Sequence, residues 1–197
     1  VNPRYVHVGT KLDISGHVRP AVASNLSSAR SAFASNRPFL VTPELQDKPK
    51  SVALRSLVLS HLFYNAGTWP HLPLLLFSQV DGAFCEFWYS LYGNNAGLVK
   101  LTGTRPTTHE LFSVSLARAR IRCFSRLVRF GSPPLRALVS LTLGKAESWI
   151  DSVIRVLLWC CSISTHFNEL PSPDASLGPW VEFIKKYPKQ FSSIIDR

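Results

Sequence analysis

Methionine is absent from all 197 residues, and acidic residues are scarce. Because the chain opens with Val1-Asn2-Pro3-Arg4, we expect it to be a segment of a longer polypeptide. The first residues show no charged start followed by an apolar core, which argues against a secretory signal. No apolar run approaches the ~18 uncharged residues that a membrane span needs. We therefore predict an intracellular protein, nuclear or cytoplasmic, that has no membrane partner.

Cysteines and histidines are few, and they are spread along the chain. The four cysteines show no C-x-x-C spacing, and the six histidines form no recognised ligand set with them. Zinc sites need such spacing, so we predict free, buried thiols in a reducing compartment and no metal site. The cysteines are Cys85, Cys123, Cys160 and Cys161.

Motifs of the common catalytic sites are missing as well. The chain has no glycine-rich phosphate loop and no Gly-x-Ser-x-Gly elbow. Polymerase-type phosphoryl transfer needs two neighbouring carboxylates to hold two Mg²⁺ ions, and no adjacent pair of acids occurs. The sequence therefore predicts no catalytic residue and no cofactor in this chain.

Positive charge is what the chain has in excess, with 22 Lys and Arg against 12 Asp and Glu, a formal net charge of +10. This excess indicates an anionic partner, more often nucleic acid than an acidic membrane surface. The charge is concentrated between residues 100 and 136, where Glu110 is the only acid. On a helix, four arginines of this stretch fall within roughly 80° of one another, opposite an apolar stripe. They are Arg118, Arg122, Arg126 and Arg129.

A guanidinium group matches phosphate with two parallel N–H donors. We therefore predict that this set binds nucleic-acid phosphates together with Lys100 and Arg105, while Arg120 points elsewhere and covers apolar surface with its stem. The alternative is a solvated face that attracts only counterions. The aromatic run from Phe84 to Tyr92 has little charge, which favours core packing over base stacking.

Apolar periodicity predicts a mainly α protein with a short N-terminal β-hairpin, followed by a thumb-like helical bundle and further helices. Residues 5–19 are predicted as a strand or hairpin, and Pro20 and Pro38 as the start and end of the first helix. The further predicted helices are residues 47–65, 74–92, 108–130, 135–143, 147–161 and 179–195.

Three groups of residues then follow one another along the first 136 positions. They are Tyr5-Val6-His7-Val8-Gly9, the stretch from Lys50 through Leu59-Ser60 to Ala66-Gly67-Thr68-Trp69-Pro70, and the basic stretch from Arg118 to Pro134. Their order and spacing resemble the region that follows the catalytic core of non-LTR (LINE-type) retrotransposon reverse transcriptases. The family's Asp-Asp box would lie before Val1, and Val8 stands where leucine is usual.

The resemblance implies a division into four segments. Residues 1–19 would be a palm-end β-hairpin, 20–98 a thumb-like helical bundle, 99–145 a basic helical connection, and 146–197 a C-terminal helical extension. In that family this region holds RNA template and DNA primer beside the palm and fingers. Mg²⁺ is expected only in the missing palm. The residues that would steady the primer end are Tyr5, Gly9 and Lys11.

The sequence thus leaves three functional hypotheses. The first is a fragment of an RNA-directed DNA polymerase that grips template and primer and is inactive alone. The second is a free-standing basic helical module that binds RNA or DNA. The third is a non-functional relic of a mobile element.

Overall fold

A computed structural model of the chain describes residues 4–7, 10–13, 17–92, 112–141, 148–163, 170–171 and 177–196. These residues are mainly helical, which confirms the class predicted from the apolar periodicity. Near the N-terminus the backbones of Arg4–His7 (β1) and Thr10–Asp13 (β2) pair antiparallel. None of the described helices is long and apolar enough to cross a membrane.

The first helix, α1, spans Arg19–Leu40 and has a proline in its first turn, as predicted. The prediction that Pro38 ends this helix is wrong, because Pro38 lies inside the last turn. A proline this close to the C-terminus removes one backbone donor, and the amide of Val41 still donates to Arg37 O at 3.0 Å. Leu40 is fully buried, and its burial stabilises the extra turn.

The second helical stretch consists of α2 (Asp47–Leu54), a π-helical segment (Arg55–Leu59) and the short α3 (Ser60–Leu62). A buried asparagine of α1, Asn25, closes the end of this stretch: its Nδ2 donates to Leu62 O at 3.2 Å and to Tyr64 O at 2.7 Å. These bonds satisfy carbonyl groups that a helix end leaves without intrahelical donors. A short 3₁₀ turn follows at Ala66–Thr68.

The remaining helices confirm most of the periodicity-based predictions. Helix α4 has the predicted bounds, Leu74–Tyr92, and α5, α6 and α7 lie at Phe112–Phe130, Pro133–Leu141 and Trp149–Ile163. The single helix predicted for 179–195 is instead two helices, α8 (Leu177–Lys186) and α9 (Pro188–Asp196). The break lies at Tyr187 because a proline disfavours helical backbone in the residue before it.

The chain divides into two compact units. The first comprises Val1–Asn65 and Leu72–Ser115, and the second comprises Ala66–His71 and Leu116–Arg197. The four-segment division given by the resemblance stays a prediction.

Aromatic side chains dominate the core of the first unit. Phe84, Phe87 and Trp88 of α4 are buried, which confirms their predicted place in the core. Phe63 stacks on Phe112 with ring centroids 5.8 Å apart. Aromatic pairs at such distances stabilise a core beyond the effect of area burial alone.

The core of the second unit is formed by the apolar stripe of α5 together with residues of α7, α8 and α9. Its largest fully buried members are Phe124, Phe191, Ile121, Ile150 and Leu157. Close to the core, the indole Nε1 of Trp149 donates to Gly67 O at 2.6 Å, and this bond connects α7 to the segment Ala66–His71. The core therefore holds the side of α5 that is opposite its exposed arginines.

Candidate nucleic-acid interface

Helix α5 has one apolar face and one basic face. Its predicted apolar stripe is buried in the structure: Ala117, Ile121, Phe124 and Val128. The helix carries five arginines and no acidic residue. Burial of the stripe fixes the rotation of α5, and this rotation decides which arginines reach solvent.

Three arginines of the predicted set, Arg122, Arg126 and Arg129, are exposed and line the same open pocket. We call this the arginine pocket. Helix α9 completes its wall with Phe191, Ser192 and Ile195, and Ser125 of α5 adds a second hydroxyl. Its volume is about 220 Å³, several times the ~30 Å³ that one water occupies in the liquid. A phosphate group with part of its hydration fits this space.

Two of the three positive charges around the arginine pocket are not neutralised by an acid among the described residues. Within the described part of the chain, neither Arg126 nor Arg129 forms an ion pair with a carboxylate. The guanidinium of Arg129 lies over the ring of Phe130, 4.7 Å from its centroid. This contact leaves the positive charge in place, and three cations on one face attract a polyanion.

Arg118, the fourth arginine of the predicted set, has a different environment. It is half-buried, and its Nε donates to Ile195 O at 3.2 Å. Ile195 lies in the last turn of α9, where carbonyl groups lack intrahelical donors and the helix dipole favours a cation. Arg118 therefore connects α5 to the end of α9, beside the arginine pocket.

The fifth arginine of α5, Arg120, is buried and binds backbone. Its Nε donates to Trp69 O at 3.3 Å and its Nη2 donates to Pro70 O at 2.7 Å. Burial lowers the pKa of this guanidinium to about 10, so it remains protonated and keeps all its donors at neutral pH. The sequence indicated that Arg120 points away from the other arginines, but it held no signal for these two acceptors.

The side chains of the other predicted site residues are not described by the structure. Lys100, Arg105 and Gly9 are not among the described residues. Tyr5 lies in β1 and Lys11 in β2, but the description of these strands is limited to their backbone. Their predicted contacts with phosphate and with the primer end stay predictions.

Neither a metal cluster nor an activated thiol is found in the described part of the chain. No group of three or more His, Cys, Asp or Glu side chains is placed to hold a metal ion there. The four cysteines are free, Cys161 buried and the others half-buried. Burial raises the pKa of the Cys160 thiol to about 11 and also raises the pKa values of Cys123 and Cys161. The thiols of Cys123, Cys160 and Cys161 are therefore protonated at neutral pH and are poor nucleophiles.

Comparison of the chain with models of known protein families, with curated proteins and with solved structures finds no match. The geometry and charge of the arginine pocket, together with the motifs of the sequence, are therefore the basis for a functional proposal.

Proposed function

We propose that this chain binds the sugar–phosphate backbone of a nucleic acid through the arginine pocket. The observation that carries the proposal is the position of Arg122, Arg126 and Arg129, three exposed arginines around one pocket on a helix without acidic residues. Guanidinium groups bind phosphate oxygens through paired, charge-assisted hydrogen bonds. Ser125 and Ser192 add hydroxyl groups that can donate to the same oxygens.

Such an interface holds nucleic acid without reading its sequence. Phosphate contacts fix the position and orientation of a duplex, whereas contacts with base edges would be needed for specificity. Each phosphate that the protein neutralises releases a counterion, so affinity falls as salt rises. With three arginines engaged on duplex DNA, the slope of log K against log salt would include about −2.7 from this pocket.

We further propose that the nucleic acid is an RNA template paired with a DNA primer, and that the chain is the thumb and connection part of an RNA-directed DNA polymerase. The ordered motifs that resemble non-LTR retrotransposon reverse transcriptases support this assignment. The upstream coding sequence tests it directly. An in-frame Asp-Asp box shortly before Val1 would support the polymerase, and its absence would favour a free-standing nucleic-acid-binding module.

Removing two arginines of the pocket is expected to weaken binding in a salt-dependent way. In the double variant Arg122→Ala/Arg129→Ala, we expect lower affinity for an RNA–DNA duplex. The slope of log K against log salt should become shallower by about two, because each lost phosphate contact removes about one unit. Fluorescence anisotropy of a labelled duplex between 50 and 300 mM salt (roughly the range in which such slopes are resolved) measures both quantities.

The matched control removes the same charge from α1, where Arg30 and Arg37 are exposed. Arg30→Ala/Arg37→Ala has the same formal charge as the test variant, and its slope should stay close to that of the unmodified chain. If the slope of log K against log salt becomes shallower by the same amount in both double variants, the duplex is bound by the general positive charge of the protein. The arginine pocket is then not the interface.

The purified chain is expected to bind a primed template without extending the primer. Phosphoryl transfer to a primer end needs paired carboxylates that hold two metal ions, and the sequence has no adjacent pair of acids. The test incubates the chain with an annealed RNA template and DNA primer, the four deoxynucleotides and either Mg²⁺ or Mn²⁺. A mobility shift of the same primer demonstrates binding, and any extended product above the protein-free reaction would show that the prediction is wrong.

A further inference from the structure

A second pocket of the second unit is larger than the arginine pocket and differs from it in chemistry. It has a volume of about 540 Å³, within the range of small-molecule sites. Its wall is formed by apolar groups of α5, α6 and α7, among them Leu127, Phe130, Leu135, Val139 and the ring of Trp149. We call this the apolar pocket. Phe130 and Leu135 remain 73% and 44% exposed at its wall, so a ligand here would bury apolar surface.

Among the described residues that line the apolar pocket, the charged one is Arg126, which also lines the arginine pocket. The indole N–H of Trp149 is bound to Gly67 O, so this side chain offers its ring to a ligand. The Cys123 thiol is neutral at pH 7, because burial raises its pKa more than the nearby Arg126 lowers it. Among the described residues, a ligand therefore meets apolar contacts over most of its surface and one positive charge.

This chemistry selects one class of occupant. A nucleobase carries several hydrogen-bonding groups along its edges, and the largely apolar wall would leave most of them without partners, at a cost in free energy. Water is held poorly for the same reason, since an ordered water needs two to four polar partners. A molecule with a hydrocarbon body and one anionic head satisfies both parts of the pocket.

We propose that the apolar pocket binds a free amphipathic carboxylate of the fatty-acid class. The carboxylate lies on the guanidinium of Arg126, and the hydrocarbon chain packs against Leu127, Leu135 and Trp149. A guanidinium and a carboxylate form two parallel hydrogen bonds, which orients the head group. The site does not require bound nucleic acid, because the apolar wall and Arg126 are present in the chain alone. A carboxylate in the apolar pocket and a phosphate in the arginine pocket would compete for the guanidinium of Arg126.

Equilibrium dialysis with radiolabelled dodecanoate, below its micellar concentration, tests the head-group contact, with dodecanol as the uncharged probe. We expect saturable binding of one dodecanoate per chain. In Arg126→Gln, dodecanoate should bind about tenfold more weakly, as expected for the loss of a charge-assisted hydrogen bond, while dodecanol binding should change less than about twofold. Arg122→Gln is the matched control, since Arg122 lines the arginine pocket but not the apolar one.

A second pair of variants tests the hydrocarbon site. Leu135→Trp fills part of the pocket and should weaken binding of both probes, whereas Leu141→Trp on the same helix, 72% exposed and outside the pocket, should not. Circular dichroism melting of every variant establishes that it is folded. Non-saturable binding, equal losses in Arg126→Gln and Arg122→Gln, or unchanged binding in a folded Leu135→Trp would each overturn the proposal.

Discussion

Replacing Arg120 with methionine is expected to destabilise the second unit by about 3 kcal/mol, since each hydrogen bond to a charged group contributes about 1.5–3 kcal/mol. Methionine keeps most of the apolar stem of arginine but removes the donors that bind the carbonyl oxygens of Trp69 and Pro70. Trp69 is 3% exposed, so water has little access to replace the lost donors there. Urea unfolding followed by circular dichroism measures the change in the free energy of unfolding.

The matched control for this variant is Arg126→Met on the same helix. Arg126 is exposed, so its replacement should change the free energy of unfolding by no more than about 0.5 kcal/mol. The free energy of unfolding of Arg120→Lys should lie between those of Arg120→Met and Arg126→Met. An ammonium group keeps the charge but lacks the planar guanidinium that reaches two carbonyls. Equal stability of Arg120→Met and Arg126→Met would mean that the two backbone contacts contribute nothing net.

A methyl group at position 67 is expected to destabilise the second unit by about 3 kcal/mol, at the upper end of the usual cost of overpacking. A Cβ on Gly67 would lie 2.5 Å from the backbone oxygen of Ala119 and 2.8 Å from Cβ of Cys123. Both atoms belong to α5, so relief requires a shift of the helix or of the segment Ala66–His71. Either shift also disturbs the bond between Trp149 Nε1 and Gly67 O. Thermal and urea unfolding of Gly67→Ala measure this cost.

The same substitution at position 82 should raise the free energy of unfolding instead of lowering it. Gly82 lies in the middle of α4, and a Cβ built there meets no atom within 4 Å. Alanine favours a helix over glycine by about 0.5–1 kcal/mol, so Gly82→Ala should stabilise the first unit by that amount. If Gly67→Ala proves as stable as Gly82→Ala, the close approach of Gly67 to α5 is not a constraint on the fold.

Periodicity predicted the helices well where a long apolar stripe faces a core. Helix α4 has the predicted bounds because nearly all its residues are apolar or aromatic and Gly93 follows it. Prolines near helix ends were not predicted as well. Pro38 does not stop α1 although Pro188 begins a new helix, and the difference depends on tertiary packing, such as the burial of Leu40, which propensity does not include.

For the candidate site, the sequence by itself determined that one helix would carry arginines on one face and apolar residues on another. Residues three and four positions apart share a face of any α-helix, so local order is sufficient for that conclusion. Which arginines remain exposed was decided only by the tertiary structure. Arg118 and Arg120 donate to carbonyl groups 77 and about 50 positions away, and local periodicity contains no information about such distant partners. The apolar pocket is likewise a product of tertiary packing, because three helices and the Ala66–His71 segment contribute to its wall.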